Sequence, residues 1–308
     1  MRVVVLGAAA GGGVPQWNCN CKVCRTARDE RPELRATQAS IAVSANGEHW
    51  FLINASPDLR QQVIVTPQLH PKAGHLRHSP IAGVILTNGE VDAVAGLLSL
   101  REGWPFTIYA HKRVLSILKS NSIFNVLDEK RVGREPVEFG VTFEPKLQDG
   151  SPSGLEILPF AAPGKRAWYL EGETRADDSE DPGDTLGLRI ADKRTGEHLY
   201  FLAACAALTP DLKKRLQGAP LIFFDGTLWR DDELIAAGLG AKTGQRMGHM
   251  AMSGENGAMA ALADLGIARK VFLHINNSNP VLLPDSAERK AAEQAGWQIP
   301  SDGMEITI

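Results

Sequence analysis

Disulfide chemistry has little material in this chain. There are four cysteines in 308 residues, and three of them, Cys19, Cys21 and Cys24, crowd into one C-x-C-x-x-C run. That spacing does not pair off as structural bridges, and the count excludes the disulfide-dense scaffold of a small secreted domain. Charge bias is missing as well: 33 Lys and Arg face 36 Asp and Glu, a formal net charge of -3. No basic field exists for nucleic acid or an acidic membrane surface. No apolar run approaches the roughly 18 residues needed to cross a bilayer. The opening MRVVVLGAAA has the charge and small residues of a signal peptide, but its apolar stretch is too short, and glycines and cysteines follow at once. A buried first strand and a functional loop are expected instead, in a cytoplasmic protein. Phosphate-loop patterns are also lacking, since GAAAGGG at Gly7 to Gly13 fits neither GxGxxG nor GxxxxGKS/T.

The apolar pattern that remains is that of a one-domain α/β protein. Val3 to Leu6, Ile81 to Leu86, Thr107 to Ala110, Leu155 to Phe160, Leu186 to Ile190, Leu199 to Leu202, Leu221 to Phe224 and Lys270 to Ile275 read as strands. Asn46-Gly47 predicts a hairpin turn between Ala39–Val43 and Trp50–Ile53. Ser56-Pro57 predicts a helix start, and a helix is expected over about Glu255 to Leu265, ended by Gly266. His70, His75 and His78 lie in a Pro- and Gly-containing stretch, where an exposed loop is expected rather than a metal site. Cys205, in the apolar run AACAAL, is expected as a small buried residue. Carboxylates dominate the end of the stretch 164–184, which predicts a mobile acidic loop, either a lid or a solvated insertion.

Three thiolates within the loop 11–25 suit one ion. Thiolates select zinc or an iron-sulfur cluster over hard cations, and a structural zinc wants four ligands. The expectation is structural zinc on Cys19, Cys21 and Cys24, with redox thiols or an iron-sulfur cluster as alternatives; the fourth ligand is not legible. A second site is expected where strands end. The run IAGVILTNGEVDAVAGLLSLREG at Ile81 to Gly103 joins a buried strand to an apolar helical segment through a polar corner carrying Asn88, Glu90 and Asp92. Strand ends are where α/β sheets place ligands; the plain alternative is Asp92 as a helix cap. Asp225 closes a later strand, His249 sits in MGHMAMSGENG and His274 lies at a strand exit, so Asp92, Asp225, His249 and His274 are expected to converge.

Six blocks, GAAAGGGVPQWNCNCKVC (Gly7 to Cys24), NASPDLR (Asn54 to Arg60), GLLSLREG (Gly96 to Gly103), DGTLWRDDE (Asp225 to Glu233), MGHMAMSGENG (Met247 to Gly257) and HINNSNP (His274 to Pro280), together resemble the coenzyme PQQ biosynthesis protein B family, a branch of the metallo-β-lactamase fold. The resemblance implies an αββα sandwich with a site at one edge. It also exposes what is absent, because the superfamily's THxHxDH corner reads Thr87-Asn88-Gly89-Glu90-Val91-Asp92-Ala93 here, and Leu202 to Cys205 stand where a bridging aspartate is usual. His274 matches the last metal ligand, and His249 with Asp225 resembles the acid/base pair of the phosphodiesterase branch.

Too few ligands remain for a two-zinc hydrolase. One metal is implied, with Asp92, His249 and His274 as a 2-His-1-carboxylate set of the kind used for non-heme Fe(II) oxygen chemistry. Glu90 and Asn88 offer further oxygen ligands or neighbouring hydrogen bonds, with Glu90 also a candidate catalytic carboxylate and Asn88 and Asn277 candidate cofactor contacts. The family places the chain in the pathway that converts a glutamate and a tyrosine of a precursor peptide into a quinone cofactor. The expected activity is an Fe2+-dependent oxygenase using molecular oxygen to hydroxylate the tyrosine of a Glu-Tyr substrate, besides structural Zn2+. A carrier for the finished quinone and a residual metal-dependent hydrolase are the rivals. Other proteins of the pathway are candidate partners; the oligomeric state, a homodimer among the options, stays open.

Overall fold

The computed structural model describes residues 1–170 and 184–308. The carboxylate-rich part of the expected acidic loop, and with it the reading as a lid, lies outside the described residues. In chain order the strands are β1 (Arg2–Gly7), β2 (Ser40–Ser44), β3 (Trp50–Ile53), β4 (Ile81–Leu86), β5 (Phe106–His111), β6 (Val132–Val137), β7 (Leu155–Ala161), β8 (Leu186–Asp192), β9 (His198–Leu202), β10 (Ile222–Asp225), β11 (Lys270–Leu273), β12 (Trp297–Gln298) and β13 (Glu305–Thr307). Among the described residues they form two sheets, ordered β13-β1-β2-β3-β4-β5-β6 and β12-β11-β10-β9-β8-β7.

Apolar residues on both faces bury β4 and β10 throughout, so each takes a central place with parallel neighbours. β6 carries Pro136 and stands at a sheet edge, where a missing N–H breaks no inner ladder. One apolar cluster fills the space between the sheets, with Val5, Ile53, Ile85, Leu188, Phe223 and Leu273 among its members. A second joins the outer face of the first sheet to Leu59, Leu97 and Leu118 of the helical layer, and a third joins Phe272 and Trp297 to Leu212 and Ala292 outside the second sheet. This is the αββα order. Each fully buried Leu, Ile or Phe contributes roughly 1.5–3 kcal/mol.

Several local expectations hold and two are corrected. The β2–β3 pair is antiparallel across the Asn46-Gly47 turn, where Gly47 has φ 76° and the Asn46 carboxamide oxygen accepts from the N–H groups of Glu48 and His49. Cys205 is fully buried, and His70, His75 and His78 lie outside any regular element. The helix expected from Ser56 begins at Leu59 instead, because the buried Ser56 hydroxyl turns inward to donate to Gln62 Oε1 at 3.1 Å. The helix expected over Glu255 to Leu265 contracts to Ala258–Ala261. Its first N–H groups, on Ala258 and Met259, pair with the carbonyls of Ala251 and Met252, so the chain folds back before helix begins.

At the edge where β1, β4, β9, β10 and β11 end, the sheets are stitched together: Ala10 N–H donates to the Ile275 carbonyl at 2.8 Å and Ile275 N–H to that of Ala8 at 2.9 Å. No helix among the described residues is long and apolar enough to cross a membrane.

Candidate active site and thiol cluster

The corner after β4 is built before it is decorated. Asn54 leaves β3 with φ 64°, a left-handed conformation that asparagine tolerates better than most residues. Its carboxamide then mimics a strand partner, accepting from Thr87 N–H and donating to the Thr87 hydroxyl, both at 2.9 Å. The segment carrying Asp92 is pressed on the same turn: Ala55 N–H donates to the Ala93 carbonyl and Gly96 N–H to that of Ala55. A Cβ on Gly96 would stand 2.0 Å from the Ser56 carbonyl oxygen, so only glycine allows this approach. Asp92 therefore sits on a braced element, in the first turn of the helix Val91–Val94, with Glu90 rather than Asp92 at the cap position.

Asp92 aims across the edge at the second sheet. Its Oδ2 lies 2.8 Å from His274 Nε2, and His274, just past β11, is held at φ 59°. Left-handed backbone at a non-glycine residue is strained and collects at functional sites. Burial works against the Asp92 carboxylate, but the hydrogen bond from His274 and the facing His274 and His249 charges outweigh it and hold the carboxyl below its ordinary range. For His274 burial again opposes charge, and the Asp92 contact with the Asp225 and Glu90 charges raises the imidazole above its ordinary value.

Asp225, at the end of β10, is fully buried and accepts four hydrogen bonds. Thr227 N–H (3.0 Å) and the Thr227 hydroxyl (2.7 Å) reach one oxygen, while Cys205 N–H (2.8 Å) and His249 Nδ1 (2.6 Å) reach the other. The rings of His249 and His274 stack at 5.0 Å between centroids. With Nδ1 of His249 on Asp225, its Nε2 is left for the cavity, while His274 is held at both ring nitrogens, Nδ1 on Thr227 and Nε2 on Asp92 beside that cavity. The four residues expected to converge are thus brought together.

The cavity, about 560 Å³, is walled on one side by Gly11 and Gly12. This glycine loop is hooked through Gly12 N–H to Gln38 Oε1, and an added Cβ at Gly11 would touch Asp92. Lys165, Trp168 and Lys242 line it as well. Glu90, expected as a catalytic carboxylate, fastens the first two: its Oε1 accepts from Trp168 N–H at 3.0 Å and pairs with Lys165 at 3.5 Å. Tyr169 adds a 2.6 Å hydrogen bond from its hydroxyl to the Gly89 carbonyl. Asn88 lines the cavity, but its Oδ1 accepts from Glu90 N–H in a local turn.

Asn277 is corrected in place. It lies at the thiol cluster, where its Nδ2 is 3.2 Å from Cys24 Sγ and its carbonyl 3.5 Å from Cys21 Sγ. The sulfur atoms of Cys19, Cys21 and Cys24 lie within 4.8 Å of one another and form no disulfide. Backbone N–H groups of Cys21, Gln16 and Cys24 point at them, at 3.4–3.5 Å. Burial raises the Cys19 thiol, but the Cys21 backbone N–H and the side chains of Cys21, Cys24 and Asn277 lower it more; burial pushes the Cys21 thiol up to about 12. Three convergent sulfurs fit a soft ion such as zinc.

Thr227, Lys165, Trp168 and Lys242 were not legible as site residues. Thr227 alone left a signal, an Asp with a hydroxyl residue two positions on, the pattern of a side chain bonding its own turn.

A family model for a beta-lactamase superfamily domain matches residues 49–275. The coenzyme PQQ synthesis protein B of Rhodopseudomonas palustris (strain BisB5) is 71% identical over all 308 residues of both chains, and that of Gluconacetobacter diazotrophicus is 55% identical over 99% of each. A crystal structure of Zn(2+)-bound PqqB from Methylobacterium extorquens is 48% identical, covers 100% of both chains and superposes with a TM-score of 0.92. A diphosphatase of the PhnP family, 20% identical with a TM-score of 0.67 over 100% of this chain and 97% of its own, shares the fold. The chain belongs to the coenzyme PQQ synthesis protein B family, within the beta-lactamase superfamily.

Proposed function

We propose that the protein acts in PQQ formation as an Fe(II)-dependent oxygenase that hydroxylates the tyrosine ring of a peptide-derived Glu-Tyr substrate. One observation supports this above the others: Asp92, His249 and His274 line one cavity, with His274 Nε2 against the Asp92 carboxylate, while Asn88, Glu90 and Ala93 occupy the corner that would complete a two-metal set. Two histidines and one carboxylate fit a ferrous ion and leave positions open beside it. Iron, when bound, supplies the activation of oxygen. One oxygen atom enters the ring and the other leaves as water, with two electrons from an external reductant.

The chain's own residues do the rest. Asp225 orients His249, which serves either as third ligand or as proton carrier beside the substrate. Lys165 and Lys242 offer positive charge to the carboxylates of a Glu-Tyr peptide, and Trp168 offers an aromatic face to its ring. At the second site, Cys19, Cys21 and Cys24 hold a structural zinc, with the Asn277 amide donating a hydrogen bond to Cys24 Sγ.

Incubating Fe(II)-loaded protein, ascorbate and a Glu-Tyr peptide under labelled oxygen should give a labelled mass gain on the ring. No labelled product, with tight binding of PQQ by metal-free protein, would point to a carrier. Phosphodiester cleavage in place of hydroxylation would point to a residual hydrolase. Metal analysis of anaerobically prepared protein should separate one tight zinc from a second, exchangeable iron.

A further inference from the structure

The cavity beside Asp92 is lined unevenly. Trp168, 65% exposed, stands at its mouth, whereas Ala39, Ala93 and Ala203 are 3–6% exposed, which places them at its inner end. Both sheets supply that end: Ala39 leads into β2, Ala93 follows Asp92 past β4, and Ala203 follows β9. Ala39 and Ala203 belong to the apolar cluster between the sheets, so the floor of the cavity is the end of that core. Both backbone groups of Ala93 are engaged within the corner, its N–H on the Glu90 carbonyl at 3.0 Å and its carbonyl on Ala55 N–H at 2.7 Å. Half-buried Ala204 continues the row. Charge lies further out, since the side chains of Lys165 and Glu90 are 26% and 28% exposed.

We infer that Ala39, Ala93, Ala203 and Ala204 are specificity-determining residues: they form an inner subsite that takes the phenol ring of a Glu-Tyr dipeptide, which enters ring first and leaves its carboxylates at the mouth. This rests on the Glu-Tyr reading given above and adds the direction of entry. Desolvation decides that direction. A carboxylate driven to the floor would shed its water against methyl groups that return no hydrogen bond, whereas an aromatic ring gains by leaving water. The mouth suits the charged end, where Lys165 and Lys242 are both partly exposed. Small size matters as much as polarity. A ring resting on Ala93 lies beside Asp92, the preceding residue, and a longer side chain there would take up the space.

Calorimetric titration of metal-free protein with Glu-Tyr, Glu-Phe and Glu-Ala tests the subsite without asking for turnover. Glu-Ala should bind roughly 10–100-fold more weakly than Glu-Tyr, the value of burying a ring. Glu-Phe should stay within about threefold of Glu-Tyr, because the ring carbons rather than the hydroxyl are recognised. Equal affinities for all three would overturn the inference, and so would a loss with Glu-Phe as large as that with Glu-Ala. Ala93→Leu and Ala204→Leu, the second at a position outside the packed apolar clusters, should each abolish the preference for Glu-Tyr over Glu-Ala. A preference kept in both variants would remove the alanines from the subsite; should a variant fail to fold, the peptide series on the parent still decides whether the ring enters. The two readings fail separately. Ring preference without hydroxylation of Glu-Tyr would keep the subsite and sink the oxygenase, hydroxylation without ring preference would do the reverse, and no binding of any peptide would sink both.

Discussion

Replacing Asp225 by Asn puts the site's electrostatics to a quantitative test. The carboxylate is fully buried and accepts two hydrogen bonds on each oxygen, all from donors. A carboxamide keeps one oxygen and turns the other into a donor. If the new NH2 replaces Oδ1, it faces Thr227 N–H; if it replaces Oδ2, it faces Cys205 N–H. Either orientation strands one buried backbone N–H, at about 1–3 kcal/mol, and removes the charge that strengthened the bonds remaining on the oxygen. The expected loss is about 2–5 kcal/mol of unfolding free energy, read from urea denaturation of metal-free protein. Function moves with it. With NH2 on the Oδ2 side, His249 must accept at Nδ1 and carries its proton on Nε2; on the Oδ1 side, the Thr227 proton is driven to an imidazole. Metal affinity should fall roughly 10–100-fold. A stability change below about 1 kcal/mol would mean that the buried carboxyl is not an ionised four-fold acceptor, and the orientation of His249 drawn from it would fall too.

The other predictions concern the metals and one buried acid. Asp92→Ala and His274→Ala should each empty the exchangeable metal position while leaving tightly bound zinc in place, checked by metal analysis; full occupancy in both would misplace the site. Cys21→Ser should lower zinc content and thermal stability together, since binding energy at such a site is folding energy; unchanged zinc would refute the thiol cluster as its home. Burial, with the Asp58 charge, raises Asp302 from 3.8 to about 6 against the Thr37 donors, and its Oδ1 has no partner. An acid whose folded pKa is raised holds its proton longer in the folded state, so stability falls as pH rises from about 4 to 6 and is flat above. The fall is up to about 3 kcal/mol, less for residual solvent exposure. Asp302→Asn should remove that slope in unfolding measured across pH 4–7; an unchanged slope would assign it to another group.

How much of this was readable beforehand divides along physical lines. Strands such as Ile81–Leu86 and Leu221 to Phe224 announce themselves because burial on both faces demands continuous apolar residues, and β4 and β10 form there. The convergence of Asp92, Asp225, His249 and His274 was legible because parallel strands deliver their C-terminal ends to one edge, so polar residues just past several strands must meet. What the sequence concealed depends on where side chains turn inside that edge. Ser56 has the chemistry of a helix cap, and only tertiary packing shows that Gln62 claims its hydroxyl. Glu90 and Asp92 are two residues apart and chemically alike, yet one fastens a wall to Trp168 and Lys165 while the other faces His274.

Asn277 shows why the two sites are better read as one construction. Two residues separate it from His274, and both are held down: Ile275 N–H donates to the Ala8 carbonyl and Asn276 N–H to the Thr227 carbonyl. At one end of this segment a strained backbone aims an imidazole at Asp92; at the other a carboxamide and a carbonyl rest on the thiols of Cys24 and Cys21. A strained φ persists only where its surroundings over-determine it. The thiol cluster is one of those surroundings, so an ion bound there would brace His274 without taking part in the reaction. That gives the chain a physical reason to keep three cysteines beside a site whose own ligands contain none.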